Sequence, residues 1–113
     1  MYKNKKFLCV IPARSGSKGI INKNFQLIDK KPLIFYPIEA AKNSKIIDKI
    51  IFTTDSKKYQ KLAKSYGVES PFIRPKKLST DKTKSYDVIH NVINYLVKKK
   101  QRFDFVILLE PTS

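Results

Sequence analysis

Ile50-Ile-Phe-Thr-Thr-Asp-Ser-Lys-Lys-Tyr-Gln-Lys-Leu-Ala-Lys-Ser-Tyr-Gly67 contains a complete strand-to-helix transition. Ile50, Ile51 and Phe52 with Thr53 and Thr54 are β-formers, and Asp55 and Ser56 are both residue types that cap a helix. Tyr59, Leu62, Ala63 and Tyr66 then recur at i, i+3, i+4 and i+7, and Gly67 stands where a left-handed helix stop belongs. Working outward, Phe7 to Ile11 is a short continuous apolar run between lysines and a Gly/Ser-rich turn, the pattern of a strand buried on both faces. Pro32 opens a helix carrying Leu33, Ile34, Ile38 and Ala41, with Pro37 distorting its early turns. Val68 to Ile73 reads as a third strand or extended loop broken by Pro71 and Pro75. Ser85 or Asp87 caps a further helix with the stripe Ile89, Val92, Ile93 and Leu96, and Phe105 to Leu109 is the next buried strand. Buried strands alternating with helices predict an α/β fold, a doubly wound and mostly parallel sheet built from right-handed βαβ units.

The chain of 113 residues fits one folding unit, residues 1–113, and its 42% hydrophobic content is that of a globular protein. Twenty-four Lys and Arg against nine Asp and Glu give a formal charge of +15, which favours anionic partners and says nothing about fold. Cys9 is the single cysteine and sits between Leu8 and Val10, so it reads as a buried structural thiol. The charged start ahead of an apolar run imitates a signal peptide, but Pro12 and Arg14 end that run and a first strand explains it better. No stretch approaches a membrane span, and cytoplasm is the expected location. His90 lies near the apolar stripe without a partner cluster, as a half-buried helix histidine would.

Ligands of such sheets bind beyond the carboxyl ends of the strands. Three segments lie there: Ala13 to Asn24, Thr54-Asp55, and Glu110 to Ser113. The first, within Ile11-Pro-Ala-Arg-Ser-Gly-Ser-Lys-Gly-Ile-Ile-Asn-Lys-Asn24, brings small residues, hydroxyls and the cations Arg14, Lys18 and Lys23 into one loop. That loop could cradle a triphosphate or be an ordinary basic surface loop; it is neither a Walker A nor a Gly-x-Gly-x-x-Gly turn.

The loop resembles the Pro-Ala-Arg-Gly-Gly-Ser-Lys-Gly-Ile-Pro-x-Lys-Asn segment of the acylneuraminate cytidylyltransferase family, the CMP-sialic acid synthetases. Five further blocks match in order: Lys31-Pro32-Leu33-Ile34, Thr53-Thr54-Asp55, Pro71-Phe72-Ile73-Arg74-Pro75, Ser79-Thr80-Asp81 through Ser85-Tyr86-Asp87-Val88, and Leu109-Glu110-Pro111-Thr112-Ser113. The resemblance implies a Rossmann-like nucleotide-diphospho-sugar transferase fold. It also implies transfer of CMP from CTP to an acidic nine-carbon sugar with Mg2+, and a homodimer in the full-length form. Arg14, Ser17, Lys18, Lys23 and Asn24 would hold CTP phosphates and ribose, with Arg14, Lys18 and Lys23 stabilising charge towards the leaving group. Arg74 would bind nucleotide, Thr83 and Ser85 would lie near nucleotide and substrate, and Glu110 would lie at the base or sugar end. Each has a plainer alternative: Ser17 and Asn24 as turn builders, Arg74 as a surface cation, Ser85 as a helix cap.

Ser15 replaces the family's usual first glycine, which is harmless if position 15 needs no left-handed backbone. Ile21 replaces a proline, and Glu110 replaces a glutamine, so an ionised acceptor stands where the family has an amide donor. Family members continue beyond the Pro-Thr-Ser block with metal-binding aspartates and part of the dimer contact, so the chain is expected to be an amino-terminal fragment, and no metal ligand is assigned within it. The related eight-carbon-sugar synthetase is a weaker match, lacking the Ser-Lys-Gly to Lys-Asn pattern. A basic nucleic-acid-binding module is permitted by the charge, but no aromatic interleaving or nucleic-acid motif supports it. An inactive nucleotide-binding fragment is the third possibility.

Overall fold

The computed structural model describes residues 2–15, 27–28 and 31–111. Phe7–Pro12 forms β1, Leu27–Ile28 and Lys31–Pro32 pair antiparallel as β2 and β3, and Phe35–Asn43 forms α1. Lys49–Thr53 (β4), Lys57–Ser65 (α2), a 3-10 turn at Lys76–Leu78, Ser85–Lys98 (α3) and Phe105–Leu108 (β5) follow.

β1 lies between β4 and β5 in a three-stranded sheet and is parallel to both, with Cys9 opposite Ile50 on one side and Ile107 on the other. Because strand side chains alternate, Cys9, Ile11 and Ala13 join one core with Ile38 of α1 and Tyr59 and Ala63 of α2. Leu8 and Val10 join a second core with Ile51 and with Val92 and Leu96 of α3. Helices thus cover both faces, which is the doubly wound arrangement. Moving from β1 to β4 and then back past β1 to β5 with right-handed crossovers requires those helices to lie on opposite faces. Leu8, Cys9, Val10 and Ile11 are all 0% exposed, so the continuous apolar run is explained by burial on two sides. Burial pushes the Cys9 thiol up to about 11, consistent with a structural role.

Pro12 is tolerated at the end of this central strand because its neighbour's N–H serves β4, Ala13 N donating to Thr53 O at 3.0 Å. The missing Pro12 donor therefore faces the β5 side, where register pairing has already ended with Val10 opposite Leu108.

Several local expectations change. α1 begins at Phe35, not Pro32, because Lys31–Pro32 is drawn into the β2–β3 pairing. Pro37 falls in the first turn of α1, where its absent N–H has no intrahelical partner to lose. Ser56 caps α2, its Oγ accepting from Tyr59 N at 3.2 Å. Gly67 ends that helix at φ +86°, with its own N–H bonded to Lys64 O and Val68 N to Ala63 O, a Schellman closure. Val68 to Ile73 is an extended segment beside β4, held by the parallel bridges Ile51–Glu69 and Thr54–Ile73.

Neither Ser85 nor Asp87 caps α3; Lys84 occupies the cap position without a side-chain bond, and Ser85 is already the first helical residue. The buried stripe of α3 is Val88, Val92 and Leu96, Ile89 and Ile93 being its half-buried flank. His90 is exposed, stacked on Tyr86, because it lies outside that stripe. β5 is an edge strand, with Phe105 51% and Val106 37% exposed, because among the described residues only β1 pairs with it.

The α3 terminus repeats the Schellman closure with Lys100 at φ 61°, and its bonds run from Lys100 N to Val97 O and Gln101 N to Leu96 O. Lys100→Gly should therefore raise stability by about 0.5–1 kcal/mol, since glycine adopts this backbone without steric cost. Adjacent positions test the phase of α3: Leu96 is 1% and Val97 43% exposed. Leu96→Ala should cost about 2–5 kcal/mol in urea unfolding and Val97→Ala under about 1 kcal/mol.

Candidate functional site

The carboxyl ends of β1, β4 and β5 release Ala13-Arg14-Ser15, Thr54-Asp55 and Leu109-Glu110 side by side. Asp55 fastens the first of these to the second, accepting from Ser15 N at 2.9 Å and, through its other oxygen, from Ser15 Oγ at 3.0 Å. Ser15 is absent from the residues with positive φ, which outside glycine are Lys3, Asn4 and Lys100. The serine thus meets the condition set for replacing glycine, and its hydroxyl adds a bond glycine cannot make.

Arg74 reaches the same end by way of the extended segment. Ser70 Oγ donates to Phe52 O at 2.8 Å, Gln60 Nε2 donates to Ser70 O at 2.8 Å, and Arg74 N donates to Thr54 O at 2.8 Å. These bonds hold the segment against β4 where Pro71 and Pro75 prevent a regular ladder. Arg74 is only 3% exposed, so it is not a surface cation. Its Nε donates to Ser79 Oγ at 3.1 Å, while Nη1 is buried with no hydrogen-bond partner among the described residues. Burial lowers the guanidinium pKa, Asp55 opposes that shift, and Arg14 adds to it. Two guanidinium groups therefore lie within electrostatic reach of each other, an arrangement that favours an anion between or beside them.

Arg14 is paired with Asp81, Nη2 to Oδ1 at 2.5 Å. Asp81 rides on a turn in which Thr83 N donates to Thr80 O at 3.1 Å and Thr83 Oγ1 accepts from Thr80 N at 3.0 Å. The Thr83 hydroxyl is thus engaged in building its own turn. Ser85 Oγ donates to Glu110 Oε1 at 3.4 Å, a long contact that joins the start of α3 to the end of β5. Instead of capping its helix, Ser85 faces the strand ends. Arg14, Arg74, Thr83, Ser85 and Glu110 are therefore all carried by segments at this end of the sheet. Ser17, Lys18, Lys23 and Asn24 lie outside the described residues.

The sequence places Asp55 in a strand-end segment and Asp81 in a family block but assigns neither a site role, although these two carboxylates stand against the cations. The scarcity of acids, nine in the whole chain, was the available signal: an acid in a strand-end loop of so basic a chain has a cation to meet. No three His, Cys, Asp or Glu converge into a metal-binding group among the described residues. A groove of about 360 Å³ lined by Leu8, Ile93, Leu96, Val97, Phe103 and Val106 opens at the amino end of the sheet, away from these cations.

A parallel, doubly wound sheet with cations gathered beyond its carboxyl ends is the architecture of nucleotide-handling α/β proteins. The cytidylyltransferase family model matches residues 8–102, and the chain belongs to that family. It is 43% identical over 108 residues to the N-acylneuraminate cytidylyltransferase of Escherichia coli O18:K1:H7, covering 96% of this chain and 25% of that protein. It is 45% identical over 111 residues to the CMP-N,N'-diacetyllegionaminic acid synthase of Legionella pneumophila, covering 96% of this chain and 47% of that one. The pseudaminic acid cytidylyltransferase of Campylobacter jejuni is 43% identical over 108 residues, with the same 96% and 47% coverage. The chain spans less than half the length of these curated relatives. Among solved structures, a CMP:2-keto-3-deoxy-manno-octonic acid synthetase complexed with CTP superposes with a TM-score of 0.77 at 23% identity, over 95% of this chain and 40% of that one. That likeness confirms the doubly wound α/β fold.

The Asp55 clamp makes a stability prediction. Asp55→Ala should lower unfolding free energy by about 1–3 kcal/mol, because it strands the Ser15 donors and removes the charge that favours buried Arg74. Ser15→Ala, which keeps the backbone bond, should cost about 1 kcal/mol. Chemical denaturation of the two variants measures both.

Proposed function

We propose that this chain supplies the CTP-binding part of an enzyme that activates an acidic 2-keto-3-deoxy nine-carbon sugar, an N-acylneuraminate or related nonulosonic acid, as its CMP derivative. The observation that carries the proposal is Arg74, a buried guanidinium whose Nη1 has no partner among the described residues, within electrostatic reach of Arg14 at the sheet end where this fold binds ligands. A charged group held in that state is costly unless an anion completes it, and a nucleotide phosphate or the carboxylate of an acidic sugar does so. Relatives named for three different nonulosonic acids support the sugar class without choosing among its members.

In the reaction, the anomeric hydroxyl oxygen bonds to the α-phosphorus of CTP as the bond to the β-phosphate's bridging oxygen breaks, so CMP-sugar and pyrophosphate form. Positioning and charge neutralisation supply most of such catalysis. Arg14 would act on the departing pyrophosphate, joined by Lys18, Lys23, Ser17 and Asn24 of the same loop. Thr83 and Ser85 would lie near the nucleotide and substrate and Glu110 at the base or sugar end, and the hydroxyl proton leaves to an acceptor not assigned among the described residues.

Magnesium belongs to this proposal as a cation neutralising the triphosphate, held by phosphate oxygens with one or two carboxylates at most. The described residues form no cage for it, and both Asp55 oxygens are already hydrogen-bonded to Ser15. The proposal also places the protein in the cytoplasm with CTP, as a homodimer in its full-length form, and assigns it no nucleic-acid or membrane partner. No described helix is long and apolar enough to cross a membrane.

The deciding experiment compares CTP with a random oligonucleotide in equilibrium binding across a range of salt. CTP should bind in preference, and Arg74→Lys, which loses the planar fork, should weaken it by about tenfold, the equivalent of one charge-assisted contact. Preference for the oligonucleotide with a steep salt slope would favour a nucleic-acid module instead.

A further inference from the structure

The two guanidinium groups of the site are held in opposite ways. Arg74 is enclosed, 3% exposed, and has one nitrogen without a hydrogen-bond partner among the described residues. Arg14 has a carboxylate on Nη2, in a pair whose side chains are 27% and 55% exposed for Arg14 and Asp81. Asp55 is bonded to Ser15 through both its oxygens, and the ion-pair partner of Arg14 is Asp81. Asp81 thus presents a carboxylate to the cation that the CTP proposal assigns to the phosphates.

A pair this exposed is weak and readily exchanged, because water screens it and solvates each partner when it opens. The turn beneath Asp81 does not depend on the pair. Thr83 N bonds to Thr80 O at 3.1 Å, Thr80 N to Thr83 Oγ1 at 3.0 Å, and Lys82 N to Thr80 Oγ1 at 3.2 Å. Opening the pair takes only a swing of the Asp81 carboxylate, and a phosphoryl group, with more charge and a geometry suited to the guanidinium fork, is the stronger partner for Arg14.

We propose that Asp81 is a resident counter-ion for Arg14 and a positioning residue for ligand selection: it holds Arg14 in the free protein and surrenders it to the phosphates beyond the α-phosphate. The inference rests on the CTP proposal and adds a sign to it. A nucleoside monophosphate lacks the groups that compete with Asp81, so it binds with the pair intact, whereas CTP must break it. When pyrophosphate departs, Asp81 recovers Arg14 and opposes its return.

Calorimetric titration of CTP and CMP into the wild-type chain, Asp81→Asn and Asp81→Glu at low and moderate salt tests this. Asp81→Asn should bind CTP about two- to fivefold tighter, the scale of an exposed ion pair, with CMP affinity unchanged. Asp81→Glu should restore wild-type behaviour, the gain should shrink as salt rises, and it should vanish in an Arg14→Ala background. Weaker or unchanged CTP binding by Asp81→Asn would overturn the proposal, as would an equal gain for CTP and CMP, which marks general repulsion. Failure of the wild-type chain to bind CTP at all would overturn the nucleotide assignment beneath it. Asp81 is exposed and its turn closes independently, so loss of folding does not confuse these outcomes.

Discussion

Everything in this molecule is arranged around the burial of β1 on four sides. Parallel neighbours satisfy its backbone on either edge, α1 and α2 cover one face, and α3 covers the other. A strand so enclosed has no lateral surface on which polar groups can be placed, so chemistry is confined to its end. With the chain leaving β1 at Ala13, the first residues free of the sheet are Arg14 and Ser15, and the switch of direction between β4 and β5 leaves a crevice beside them.

Placing cations at that end creates an electrostatic problem that the acids of the chain address. Arg74 is desolvated and near Arg14, and both effects disfavour its charge; Asp55 opposes them while also fastening Ser15. Asp81 pairs with Arg14. Carboxylates are few in a chain of charge +15, and three of the nine, Asp55, Asp81 and Glu110, stand at this one end of the sheet. The surrounding lysine excess supplies a positive field that favours anions, against which Asp55 and Asp81 are the local counter-charges.

The β1 strand, the Ser56-capped α2 and its Gly67 stop were legible because each is encoded by contiguous residues with one periodicity and one capping chemistry. The errors arose where tertiary partners decide. Lys31-Pro32 has the signature of a helix start, yet a short strand claims it; Phe105 to Leu109 has the composition of a buried strand, yet burial depends on neighbours that composition does not specify. Ser85 carries the same lesson in the site, since a serine at a helix start is a capping signal and only the position of Glu110 explains why its hydroxyl points elsewhere. The gathering of Arg14, Asp55 and Glu110 at one end of the sheet followed from topology, and the buried state of Arg74 did not, because it depends on Ser70 and Gln60 tying its segment to β4.

The Ser15 substitution shows how a departure from the family pattern can be absorbed. A glycine at the mouth of a phosphate loop permits a left-handed turn or a close backbone approach, and a side chain there threatens both. Here the backbone at position 15 does not need positive φ, and the added hydroxyl bonds to Asp55. The bond ties the mouth of the loop to the end of β4, which also carries Thr54, the acceptor for Arg74 N. The backbone that carries Arg14 and the segment that carries the buried Arg74 are therefore both referenced to the end of the same strand.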